Sequence, residues 1–80
     1  MEKSFLELLE AEKKAINDVK MFKESIVDFL NQSNRANTKE EKEIYERIAH
    51  NYKKKKIEAE ENLLRIRREI KQYIFFLETL

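Results

Sequence analysis

Eighty residues without cysteine, glycine or proline leave no disulfide framework, no glycine-rich phosphate cradle and none of the usual residues for tight turns. Charged and hydrophobic residues each make up 41%, a composition that matches long helices and coiled coils and argues against hairpin-rich β structure. The net charge of +1 gives the chain as a whole no field to draw in nucleic acid or an anionic membrane, so any basic signal has to be local.

A chain this short is one domain at most, residues 1–80, and needs very regular helix packing, a metal or a second subunit to be stable. Its N-terminus enters mixed charge at once rather than an apolar signal segment. The longest apolar run, Tyr73 to Leu77, falls far short of the roughly 20 residues that span a bilayer. The expectation is a cytoplasmic protein with no membrane span.

The first element is a helix over residues 2–31. Apolar residues recur there at three- and four-residue spacing, and with Phe5 at heptad position a, the a and d positions hold Phe5, Leu8, Ala15, Val19, Phe22, Ile26 and Phe29. Leu9, Ile16 and Leu30 widen the stripe to position e, which suits a helix with more than one neighbour. Phe5, Leu9, Ile16, Val19, Phe22, Ile26 and Phe29 are the expected core of this helix. Ser4 with Glu7 has capping-box spacing. Glu12 interrupts the a positions, and a cationic or tyrosine partner from the second helix would let it fix register.

The polar stretch 31–38, N-Q-S-N-R-A-N-T, is the one place where the periodicity lapses. Asn31 or Asn34 can take the left-handed conformation that glycine normally supplies after a helix, and Thr38 with Glu41 repeats the capping-box spacing. A second helix follows over residues 39–79, with Ile48, Tyr52, Leu63 and Ile66 as its expected core. Between Tyr52 and Leu63 the spacing slips as in a heptad stutter.

At 1.5 Å per residue the expected helices are about 45 and 61 Å long. An antiparallel hairpin closed over 31–38 sets Glu2 opposite Arg67 or Arg68 and leaves Ile70 to Leu80 overhanging. This is the most apolar stretch of the helix, and burying each large side chain is worth roughly 1.5–3 kcal/mol. Ile70, Tyr73, Ile74, Phe76, Leu77 and Leu80 are therefore the expected oligomer interface. Two copies about a two-fold axis would make a four-helix bundle. A folded-back third helix lacks any bend signal, and a different protein could take the tail by a helix-in-groove mode.

Candidate chemistry is sparse. Lys53, Lys54, Lys55 and Lys56, with Arg65 and Arg68, could contact phosphates, but four consecutive lysines point in four directions around a helix. Glu46 and His50 lie four apart, whereas the di-iron pattern needs Glu and His three apart, so no metal is expected. A lone histidine leaves no base for Ser4, Ser25 or Ser33, so neither catalysis nor a cofactor is expected. The expected function is that of a small homodimeric interaction or regulatory protein, and the alternative is a nucleic-acid-binding regulator using the basic residues of helix two.

Overall fold

The computed structural model describes residues 4–80 and contains two helices, α1 (Phe5–Arg35) and α2 (Lys39–Glu78), packed antiparallel as an all-α hairpin measuring 64 × 16 × 14 Å. The expected start of helix one at Glu2 lies outside the described residues. Ser4 caps α1, its Oγ accepting from the Glu7 N–H at 3.2 Å. Thr38 caps α2 in the same way, accepting from the Glu41 N–H at 3.1 Å, while the Glu41 carboxylate reaches back to accept from the Asn37 N–H at 3.2 Å.

The end of α1 differs from the sequence expectation. The helix runs on to Arg35, so the link is only Ala36, Asn37 and Thr38. Neither Asn31 nor Asn34 takes a left-handed conformation, because both are still helical and no described residue has a positive φ. The chain leaves the helix through Ala36 in an extended conformation (φ −64°, ψ 139°). The polar stretch stays helical because Asn31, Gln32 and Asn34 lie on the exposed surface, where their polarity costs nothing. Ser33 falls at the next a position and is buried against α2, its hydroxyl within long hydrogen-bond range of the Lys42 carbonyl (3.5 Å) and the Glu46 carboxylate (3.4 Å).

Aromatic pairs lock the two helices together. Phe29 stacks on Tyr52 at 5.6 Å and on Tyr45 at 6.4 Å, and Phe22 meets Tyr52 at 6.1 Å. At the open end Phe5 stacks on Tyr73 at 5.2 Å. Leu8, Ala15, Ile26, Ala49 and Ile66 are the buried apolar residues. Phe5, Val19, Phe22, Phe29, Ile48, Tyr52 and Leu63 are half-buried. Ala15 and Ala49 leave only 1% of their surface exposed, so they mark points of close helix approach. Leu9 and Ile16, expected in the core, are instead 40% and 45% exposed, because position e of α1 faces outward along one flank of the hairpin. The expected stutter is absent: the seam keeps its four-three spacing through Tyr52, Lys56, Ala59 and Leu63, with a half-buried lysine where an apolar residue would stand, its Nζ 4.0 Å from Glu60.

These contacts set the sizes of two stability effects. Leu8→Ala should cost about 2–5 kcal/mol in urea unfolding, whereas Met21→Ala, at an exposed site, should stay within about 0.5 kcal/mol. Thr38→Ala should cost about 1 kcal/mol by loss of the α2 cap, read in the same experiment.

Candidate interaction surface

A later end to α1 shifts the pairing of the helices. Glu12 meets Arg67, whose Nε donates to the carboxylate at 3.1 Å, and Phe5 meets Tyr73, which the expected register left without a partner. Ile70 and Tyr73, expected in the overhang, therefore lie half-buried within the hairpin. The part of α2 beyond the Phe5–Tyr73 stack is Ile74 to Leu80. Its large apolar side chains are all exposed: Ile74 41%, Phe75 68%, Phe76 54%, Leu77 47% and Leu80 88%. At 100° per residue they point around the whole helix circumference, with Leu77 continuing the seam of Ile66, Ile70 and Tyr73.

Further along the rod the two flanks differ. On one, an open groove of about 300 Å³ runs between the helices, lined by Ile16, Val19 and Leu63 with Lys20, Lys23 and Arg67 at its edges. These α1 residues occupy heptad positions a, b and e. Along the whole of α1, positions b and e hold Leu6, Leu9, Ile16, Val27 and Leu30 with Lys13, Lys20, Lys23 and Asn34, and no carboxylate. The exposed Ile57, Leu64 and Ile74 of α2 project to the same side as Arg67 by helical spacing. On the opposite flank a smaller groove of about 170 Å³ is bordered by Lys14, Asp18, Asn62, Arg65 and Glu69, with Ala15 and Ile66 at its floor. That side mixes both signs of charge.

The basic run forms no single site. Lys53 and Lys54 point to solvent, Lys55 Nζ lies 5.2 Å from the Tyr52 ring centroid, and Lys56 turns to Glu60. Arg65 donates to the Asn62 side-chain oxygen at 2.6 Å, and Arg68 is exposed on a different side of the helix from the groove. The Glu46 carboxylate is near Ser33 and not His50, and among the described residues no three His, Asp or Glu side chains converge as a metal site would require. No described helix is long and apolar enough to cross a membrane.

Comparison of the chain with protein-family models, with curated proteins and with solved structures finds no match.

The one cross-helix ion pair among the described residues, Glu12 with Arg67, is half-exposed, its side chains retaining 29% and 48% of their surface. Such a pair sets register more than stability, so Glu12→Gln should lower the unfolding free energy by less than about 1 kcal/mol in urea titrations.

Proposed function

We propose that the chain is a small self-associating interaction protein, acting through protein contacts, in which the C-terminal tail of one hairpin is covered by a second copy. The observation that carries this reading is the run of exposed apolar residues in Ile74–Leu80, beyond the Phe5–Tyr73 stack. Covering each is worth roughly 1.5–3 kcal/mol, enough in sum to offset the loss of freedom on association. Leu6 (65% exposed) and Leu9 (40%) lie at the same end of the rod and extend the patch onto α1. Two hairpins about a two-fold axis, each tail lying over the Leu6–Leu9 end of its partner, form a four-helix bundle where they overlap. A helix apolar around its whole circumference needs neighbours on several sides, which such an overlap supplies and a single flat contact does not.

The basic run supports a nucleic-acid role less well, because its cations are dispersed around α2 and two of them are engaged within the chain.

Light scattering over a concentration series tests the pairing on the full chain and on a Phe76→Lys/Leu77→Lys variant, with circular dichroism to confirm that helix content is kept. The expected result is a dimer for the native chain and a monomer for the variant. A native chain that stays monomeric at high concentration, or a variant that stays dimeric, would overturn the tail as the assembly element.

A further inference from the structure

The flank on which the larger groove opens has a chemistry of its own, and we propose that it is the docking groove for an acidic amphipathic helix of another protein. Ile16, Val19 and Leu63 form the floor of the groove and Lys20, Lys23 and Arg67 its edges. The recess suits the protruding side chains of a helix laid along the hairpin. Leu9, Ile16 and Leu30 share position e, and their multiples of seven residues, about 10.5 Å per heptad, match the repeat of the apolar ridge on such a helix. The docked helix would complete a three-helix bundle, the arrangement that an a, d and e stripe serves.

Charge selects the occupant. Positions b and e of α1 carry no carboxylate, and among the described residues Lys13, Lys20 and Lys23 make no ion pair. A second copy is a poor fit here, since beside the Glu12–Arg67 pair its matching flank would bring the same three lysines with Lys53 and Lys71 against Glu46, Glu60 and Glu78, an excess of positive charge on both sides. Nucleic acid fits no better, because the centre of the flank is aliphatic and has no exposed aromatic side chain on which a base could stack. Glutamates or aspartates flanking an apolar ridge would meet the lysines while the ridge fills the groove.

This assignment names a partner class for the interaction role proposed above and rests on that role, though not on the pairing of the tails. Fluorescence anisotropy with the full chain tests it, using a labelled synthetic helix of about three heptads with Leu at a and d and Glu on both flanks. The same helix with Lys flanks is the comparison, and mixed phosphatidylglycerol–phosphatidylcholine vesicles are the third probe. Saturable binding of the Glu-flanked helix is expected, weakening about tenfold or more between low salt and about 0.5 M salt. Lys20→Glu/Lys23→Glu should transfer the preference to the Lys-flanked helix, with circular dichroism unchanged. Equal binding of both helices, indifference to the charge reversal, or capture by the vesicles but by neither helix would overturn the proposal. The Phe76→Lys/Leu77→Lys variant should bind the Glu-flanked helix like the native chain, which separates failure of the tail pairing from failure of the groove; loss of binding there would overturn the assignment to this flank.

Discussion

Register between the two helices decides what the surface of this hairpin presents, and the register depends on a link of three residues, Ala36 to Thr38. A link so short keeps the helices side by side from the first turn, and Phe29 between Tyr45 and Tyr52 closes that end. From there the spacing of apolar residues carries the pairing outward to Phe5 and Tyr73. The length of the uncovered tail follows by subtraction. A turn placed one helical turn earlier would have exposed Ile70 and Tyr73 as well, and would have separated Glu12 from Arg67.

Two helices, their antiparallel arrangement and both N-terminal caps are legible in the residue pattern, because 3.6-residue periodicity and the Ser4–Glu7 and Thr38–Glu41 spacings are local signals. The end of α1 is not. Asn31, Gln32, Ser33 and Asn34 look like a turn by composition, but propensity is a weak prior and burial of one small residue overrides it. Ser33 is small enough for the close approach of the helices beside the link, and α2 offers acceptors for its hydroxyl. No spacing rule announces that combination. The alanines are another blind spot: Ala49 is wholly buried, yet nothing in the periodicity separates it from its neighbour Ile48, which is larger and less buried. Leu9 and Ile16 were legible as a widened stripe but not as solvent-facing, because an a, d and e pattern states how many neighbours a helix has room for and not which of them the same chain supplies.

The two flanks of the rod show how one chain with a net charge of +1 presents unlike surfaces. Apart from Glu12, which is held on the seam by Arg67, the carboxylates of α1 lie on the outer face and the mixed flank, at Glu7, Glu10, Asp18, Glu24 and Asp28, which leaves the other flank to lysines and aliphatic residues. Lysine stems can lie over neighbouring apolar surface while the ammonium groups stay hydrated, so this flank tolerates water without being indifferent to a partner. Whole-chain charge, being an average over both flanks, hides this asymmetry. The candidate surface therefore emerges only when helical position and helix pairing are combined.

Lys56 divides the seam. On the link side of it lie the stacked aromatic rings, and on the tail side lie Leu63, Ile66 and Ile70, whose contacts are aliphatic until Tyr73. Tyr45, Ala49, Tyr52, Lys56, Ala59, Leu63, Ile66, Ile70 and Tyr73 follow an unbroken four-three spacing, so Lys56 sets a charged stem at a regular position of the seam. A lysine can serve in such a layer because its stem covers apolar surface while the ammonium group stays hydrated. The seam therefore has two chemistries in series, aromatic rings on the side of the turn and aliphatic side chains beyond them. The tail and the groove residues Leu63 and Arg67 belong to the aliphatic part, so the surfaces through which the chain would meet its partners stand away from the rings that hold the turn.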